Sequence, residues 1–224
     1  MEYSLIRAKR KTLCVTVRQD GSVEVRAPRF VTEKQVEEFL LRKREWIFSR
    51  QEEMAQAARQ REAFSTAPGA ELPLLNRYYP VIAGEKAGFT GESFRVVPDK
   101  PSKRQLIEIY RGLARRILSK RIALYSTQIG ARPAGLRITS AATRFGSCSG
   151  RNTLSFPWKL VMAELRFVDY VVVHELCHTL EHNHSKRFWN LVERTMPDYK
   201  DREAGLKMFS RELAGQDWTD TDGS

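Results

Sequence analysis

Apolar and polar residues alternate over residues 12–27, and Asp20-Gly21 interrupts the alternation near its middle. Alternation with a period of two is typical of a strand with one buried face, and Asp-Gly is a common two-residue turn between antiparallel strands. The segment therefore predicts a β-hairpin, whose apolar positions are Leu13, Val15, Val17, Val23 and Val25.

A helical pattern follows the hairpin. Thr32 with Gln35 three residues later has the form of a capping box, in which two side chains bind the unpaired backbone N–H groups of a helix start. Apolar residues then recur at helical spacing, at Val36, Phe39, Leu40, Trp46 and Ile47. We predict one long helix that runs from this cap to about Ala63, so that residues 1–64 form an N-terminal hairpin–helix extension.

Small residues, proline and glycine interrupt the next part of the chain. A loop is predicted up to Pro73, and short strand-like runs between Tyr78 and Val97 predict a second hairpin. Residues 65–101 are therefore interpreted as a connecting hairpin region.

A third region combines helices with short strands. Ser102 and Gln105 repeat the capping-box pattern and predict the start of a helix. Strands are predicted near residues 136–139 and 153–156, and a further helix is predicted at about residues 164–182.

The last part of the chain predicts two more helices. Ser185 is the expected N-cap of the first, with Phe188 and Trp189 packed inward. We expect residues 102–214 to form one domain, and the polar residues 215–224 to form a loose tail.

All four histidines of the chain lie within residues 174–184. Two of them, His174 and His178, form an H-E-x-x-H motif with Glu175. Residues four apart share a face of a helix, so both imidazoles can bind one zinc ion while Glu175 acts as general base on the zinc-bound water. Because the apolar residues 167–173 would bury one end of this helix, the motif predicts a catalytic zinc site.

A third ligand is needed for such a site, and two histidines compete for the role. His182 would lie about 12 Å from His174 along a helix, which is too far for one tetrahedral ion. His184 can return to the metal if the helix stops near His182 and Asn183 adopts the left-handed backbone conformation. We predict His184 as the third ligand, and the carboxylate alternatives are Glu181, Glu193 and Asp198.

The composition suits a globular protein outside the membrane, with 42% hydrophobic and 29% charged residues in 224. No apolar run reaches the length of a membrane span, and the N-terminus lacks the pattern of an export signal. The three cysteines, Cys14, Cys148 and Cys177, are an odd and scattered set, which is typical of a reducing compartment. We therefore expect a cytoplasmic location and no membrane partner.

The formal net charge of +11 favours partners such as nucleotides or nucleic acid, or it forms a solvated basic surface. Two alternative functions follow from this charge. One is a metal-dependent nucleoside triphosphate pyrophosphohydrolase, against which the lack of a Gly-rich phosphate loop counts. The other is a basic nucleic-acid-associated binding protein with a structural metal site, although a structural site has no use for Glu175 as a base.

Several motifs, taken in their order along the chain, resemble the YgjP-like metal-dependent hydrolases, which are zincin-fold proteins related to SprT-like metallopeptidases. The resemblance extends from about Ser4 to Leu213. Asn76 departs from the pattern, because a glycine is common in the family at this position. The motifs are Asp20-Gly21, Ala27-Pro28, Trp46-Ile47, residues 144–149, residues 174–178, Asn183-His184-Ser185 and Phe188-Trp189.

The resemblance implies an α+β fold, with a zincin-like metallopeptidase core that combines a small antiparallel sheet with the H-E-x-x-H helix. It also implies that His174, His178 and His184 hold the metal, that Glu175 is the general base and that residues 144–149 flank the active cleft.

We therefore expect a zinc-dependent hydrolase, and a cytoplasmic metallopeptidase is favoured over the two alternatives. Its substrate would be a peptide or an unfolded protein. An edge strand beside the metal helix would bind this substrate, and residues 153–156 are the candidate. Arg144 is the candidate for binding the substrate and stabilising its developing oxyanion.

Overall fold

The computed structural model describes residues 2–18, 20–213 and 215–218, without the side chains of residues 57, 60 and 61. This part of the chain contains six α-helices and three small β-sheets, so the fold is a mixed α+β fold. None of these helices is both long and apolar enough to cross a membrane.

The chain is divided into two units. The first consists of Met1–Phe64 with Ala214–Asp217, and the second of Ser65–Leu213 with Trp218–Ser224, as far as their residues are described. Residues 65–101 therefore share one unit with the helices and strands that follow them.

The first unit contains a three-stranded sheet of β1 (Ser4–Arg7), β2 (Cys14–Val17) and β3 (Val23–Ala27), in the order β1-β3-β2. Strands β2 and β3 are antiparallel with Val15 opposite Val25, which confirms the predicted hairpin. Strand β1 pairs parallel to β3 and was not predicted.

Two helices follow this sheet where one was predicted. The capping box of Thr32 and Gln35 is present, but α1 (Glu33–Arg42) ends at Lys43 and α2 (Arg44–Ala63) begins anew. The break has a packing reason, because residues of both helices enter one core beneath the small sheet. This core consists of Val23, Val25, Ala27, Val36, Leu40 and Ile47.

The second unit begins with a four-stranded sheet in the order β4-β5-β7-β6. Its strands are β4 (Glu71–Leu74), β5 (Arg77–Ala83), β6 (Gly88–Phe89) and β7 (Phe94–Val96).

A hairpin was predicted between Tyr78 and Val97, and β6 and β7 form one there as an antiparallel pair. The prediction did not include the parallel pairing of β5 with β7 or the antiparallel pairing of β5 with β4. Strand β4 falls in a segment that was predicted as a loop because it contains Pro73. Proline has no N–H group to donate, but a strand at the edge of a sheet tolerates a proline. The β4–β5 turn places Leu75 and Asn76 at φ values of 50° and 63°, a backbone region that asparagine adopts readily.

The longest helix, α3 (Ser102–Ile129), begins differently from the prediction. Its N-cap is Pro101, and no side chain caps it. The Gln105 side chain instead binds Val97, accepting from its N–H at 2.9 Å and donating to its carbonyl at 3.1 Å. The predicted capping box of Ser102 and Gln105 is therefore wrong.

The second sheet of this unit has three strands in the order β8-β10-β9. Strands β8 (Gly135–Thr139) and β10 (Thr153–Pro157) are parallel, and β9 (Ser147–Cys148) is antiparallel to β10. The predicted strands at residues 136–139 and 153–156 are thus present. However, β10 lies between β8 and β9, and β9 occupies its second edge at Leu154 and Ser155, where a peptide was expected to bind. The sheets are also mixed, since each contains one parallel pair, and not antiparallel as predicted.

Three helices complete the unit: α4 (Leu165–Cys177), α5 (Lys186–Thr195) and α6 (Tyr199–Leu213). The helix predicted at residues 164–182 therefore ends about one turn early. Thr179 explains part of this end, because its backbone N–H and its hydroxyl both donate to the Leu176 carbonyl, at 3.0 and 2.7 Å. Such local bonds compete with the helical ones.

Residues 215–224 were expected to form a loose tail. The structure places Trp218 in the core of the second unit, where its ring makes edge contacts with Tyr110 and Trp158 at centroid distances of 5.7 and 5.1 Å. The beginning of this segment is therefore packed, and residues 219–224 lie outside the described part of the chain.

Candidate metal centre

Helix α4 carries the two histidines of the H-E-x-x-H motif at its C-terminal end. Residues 167–173 of this helix are all buried, as the apolar run predicts. His174 lies in the last turn and His178 at the C-cap. The buried part of α4 thus fixes the positions of both histidines relative to the rest of the unit.

An ion pair with α3 anchors the same helix. Asp169 is buried, and its carboxylate accepts from Arg121 Nε at 2.6 Å and from Arg121 Nη2 at 2.8 Å. The Tyr125 hydroxyl donates to the second oxygen at 3.0 Å. Sequence reasoning missed this cluster, although an aspartate within the apolar run at 167–173 was its one visible sign.

His184 lies in the connection between α4 and α5. The Asn183 side chain accepts from the Ser185 N–H at 3.2 Å, and the Ser185 hydroxyl accepts from the Phe188 N–H at 3.3 Å. Ser185 is thus the N-cap of α5, as predicted. Asn183 does not adopt the predicted left-handed conformation, because the early end of α4 leaves enough chain for His184 to return.

His174, His178 and His184 form a cluster in which one nitrogen from each ring lies within 4.8 Å of the other two. His174 Nε2 and His184 Nε2 are 3.1 Å apart. Two nitrogen ligands of one tetrahedral zinc ion are separated by roughly 3.3 Å when each bond is about 2.05 Å. The three imidazole nitrogens and this separation therefore fit a bound metal ion.

The other candidates for the third ligand lie elsewhere. His182 is exposed and outside the cluster, and Glu193 is exposed on α5. The Asp198 carboxylate binds Arg202 Nε at 2.9 Å, and the Glu181 side chain lies 4.0 Å from Arg187. Of the residues named as alternatives, the structure thus brings only His184 to the other two histidines.

Hydrogen bonding determines the tautomer of one ring. His178 Nδ1 lies 3.1 Å from the Glu181 carbonyl oxygen. Since a carbonyl only accepts, Nδ1 carries the proton and Nε2 keeps its lone pair for a metal.

Burial keeps the first two imidazoles neutral. Burial is the main cause that lowers the pKa of His174 to about 3, and the neighbouring His178 and His184 contribute to this shift. Burial likewise lowers the pKa of His178, while its bond to the Glu181 carbonyl opposes this effect. Neutral imidazole is the form that binds metal.

Glu175 is buried, with 6% of its surface exposed. Burial raises the pKa of its carboxyl to about 7, and the positive charge of Arg144 partly opposes this shift. A carboxyl group with a pKa near neutrality can both accept and release a proton under physiological conditions.

Gly146 leaves the room that Glu175 occupies. A Cβ atom at position 146 would lie 2.6 Å from Glu175 Oε1. The sequence did not predict this contact between Gly146 and Glu175, although residues 144–149 were expected to flank the active cleft. Arg144 is exposed in the same segment, just before β9, and acts on Glu175 through its charge.

One family of known proteins matches most of this chain. The sequence profile of one protein family, described as YgjP-like, metallopeptidase domain, matches residues 11–209. Among solved structures, the metallopeptidase zymogen abylysin of Pyrococcus abyssi aligns over 41% of this chain and 93% of its own, with 20% identity and a TM-score of 0.39. No curated protein sequence matches the chain.

Proposed function

Because the chain belongs to the YgjP-like metallopeptidase family, we propose that it is a zinc-dependent peptidase whose centre is formed by His174, Glu175, His178 and His184. The observation that carries this proposal is the convergence of three imidazole nitrogens beside a buried carboxyl group.

The three histidines would hold the metal ion. Three imidazole ligands favour zinc among the common divalent ions, and three protein ligands leave a position open, as in catalytic sites. When bound, zinc would supply a Lewis acid that polarises the scissile carbonyl group and activates water.

Glu175 would be the general base. Its carboxylate would take a proton from the attacking water molecule and then deliver it to the leaving amine. The pKa of about 7 that burial gives this carboxyl suits both steps, because the group exchanges its proton readily near neutral pH.

Strand β9 is the candidate for binding the peptide backbone. It is an edge strand of its sheet within the described residues, since it pairs only with β10. It also follows Gly146 directly, so its edge begins beside Glu175. An extended peptide could add to this edge through main-chain hydrogen bonds, which would present its carbonyl groups to the metal centre.

Arg144 would bind the substrate next to the general base. Its side chain is exposed, and its positive charge lowers the pKa of Glu175. A guanidinium group at this position can donate to a substrate carbonyl or carboxylate and stabilise the negative charge that develops on it.

We propose a cytoplasmic location for this peptidase. Cys14, Cys148 and Cys177 are all free thiols, which suits the reducing cytoplasm. Unfolded or partly unfolded proteins are the substrate class that an edge strand would accept, because their segments are extended.

Cleavage of an unfolded protein by the zinc-loaded enzyme tests the proposal. The wild-type protein should cleave it, and zinc-loaded Glu175→Gln should be at least about 100-fold slower. Equal cleavage by both proteins would remove Glu175 from the mechanism. Pyrophosphate release from nucleoside triphosphates that depends on Glu175, without peptide cleavage, would replace peptides with nucleotides as the substrate.

A further inference from the structure

One phenylalanine lies beneath all three histidines. The Phe188 ring centroid is 4.9 Å from that of His174, 4.4 Å from that of His178 and 4.8 Å from that of His184. The ring is fully buried, and it stacks on His178 with an interplanar angle of 27°. Phe188 therefore forms an apolar floor that all three rings share.

The next residue on α5 extends this contact. The Trp189 ring stacks on His184 at a centroid distance of 5.6 Å and an interplanar angle of 24°. It also stacks on Tyr199, the first residue of α6, at 5.3 Å with the same angle. His184 itself is exposed, and outside the histidine cluster its ring contacts Phe188 and Trp189.

One of the three rings lacks the hydrogen bond that usually orients a metal-binding histidine. Metal-binding histidines almost always donate the second ring N–H to a carboxylate, carbonyl or water, and this bond orients the ring. His178 has such a bond to Glu181. His174 Nδ1 is buried and has no partner in the described part of the chain.

We propose that Phe188 and Trp189 are positioning residues that orient the three imidazoles by ring contacts, a task that hydrogen bonds perform in most histidine sites. The first turn of α5 would therefore set the metal affinity of the centre. This inference rests on the proposed function, since it presumes that the three histidines hold a metal ion.

Phe188 and Trp189 differ in how far their substitution would disturb the fold. Phe188 is fully buried, so its replacement would also disturb the core. Trp189 is only half-buried, which makes it the better position for a test. Trp189→Leu keeps apolar volume but removes the aromatic ring, whereas Trp189→Phe keeps a ring that can stack.

Zinc affinity, measured by competition with a chelator, tests the proposal. Trp189→Leu should weaken zinc binding about 10- to 100-fold, which is the usual cost of losing a residue that orients a ligand. Trp189→Phe should restore most of the loss. Trp46→Leu, which removes an exposed tryptophan of the first unit, is the matched control and should bind zinc as the wild type does.

Two results would overturn the proposal. Affinity of Trp189→Leu within about twofold of the wild type would show that the ring does not matter. Equal weakening by Leu and Phe would show that stacking by an aromatic ring at position 189 is not what supports zinc binding. If the wild-type protein binds no zinc, the proposed function fails, whereas zinc binding without an effect of Trp189 defeats this inference alone.

A measurement on the unmodified ring keeps the proposal testable if Trp189→Leu does not fold. Cu²⁺ quenches tryptophan emission at short range, so its binding at the histidines should reduce the emission of the wild-type protein. Trp189→Phe should bind Cu²⁺ with a clearly smaller loss of emission. Equal fractional quenching in both proteins would contradict the contact between Trp189 and the metal-binding rings.

Discussion

Gly146 and Glu175 approach each other so closely that position 146 has no room for a side chain. A Cβ atom there would lie 2.6 Å from Glu175 Oε1 and 2.7 Å from its Cγ. The loop before β9 and the end of α4 are therefore fitted to each other at the carboxyl group that we propose as general base.

Gly146→Ala should displace this carboxyl group without removing it. We expect kcat/KM for peptide cleavage to fall by about 100-fold, since a misplacement of about 1 Å can have an effect of this size. Zinc affinity should stay close to that of the wild type, because no histidine is touched. Steady-state kinetics and chelator competition on the same protein samples would measure both.

Gly150→Ala is the control for that substitution. Gly150 lies on the other side of β9, in the connection to β10, and a Cβ atom there would meet no heavy atom within 4 Å. Its activity should be unchanged. If both alanine variants lost activity equally, the cause would be loop flexibility and not the space at Glu175.

Glu175 should also make the metal-free protein less stable at higher pH. Burial raises the pKa of its carboxyl from 4.5 to about 7, so between these values the folded protein holds a proton that the unfolded chain has lost. The contribution of Glu175 to stability therefore falls as the pH rises from 4.5 to about 7. Glu175→Gln removes this effect and should stabilise the metal-free protein by up to about 3 kcal/mol at about pH 8.

Denaturant unfolding in the presence of a chelator would measure this difference, which should vanish near pH 4. Glu193→Gln changes an exposed glutamate of α5 and should show no comparable gain at either pH. A stabilisation by Glu175→Gln that is equal at both pH values would contradict burial of the charge as its cause.

The ion pair between Asp169 and Arg121 should matter for the stability of α4. Asp169→Ala leaves the guanidinium group without its partner at a site where the carboxylate side chain is 8% exposed. Removal of one member of a buried pair typically costs about 3 kcal/mol or more. The free energy of unfolding should fall by this amount in denaturant titrations.

Asp198→Ala offers the matched comparison for Asp169→Ala. Asp198 pairs with Arg202 four residues later on α6, and half of its side chain is exposed. Its loss should cost no more than about 0.5 kcal/mol. Similar losses for the two variants would mean that the Asp169 pair is no stronger than a surface pair.

Local patterns predicted the parts of the fold that local interactions determine. The Asp20-Gly21 hairpin and the capping box at Thr32 depend on residues close in sequence, and both are present. The H-E-x-x-H spacing likewise predicted that His174 and His178 would share one face of a helix. Here, backbone geometry alone is enough.

The remaining features depend on contacts between distant residues. The parallel pairing of β1 with β3 and the break at Lys43 follow from packing around one small core, which no short pattern contains. The contact of Gly146 with Glu175 joins segments almost 30 residues apart. The Leu75–Asn76 turn was not predicted, because Pro73 led to a loop being predicted where β4 lies.

Zinc content of purified protein tests the account most directly. The wild-type chain should bind one zinc ion, and His184→Ala should lose it, because His184 Nε2 lies 3.1 Å from His174 Nε2. His182→Ala, a change at an exposed histidine outside the cluster, should keep full occupancy. Full occupancy in His184→Ala together with loss in His182→Ala would contradict the three-histidine centre on which the proposed peptidase rests.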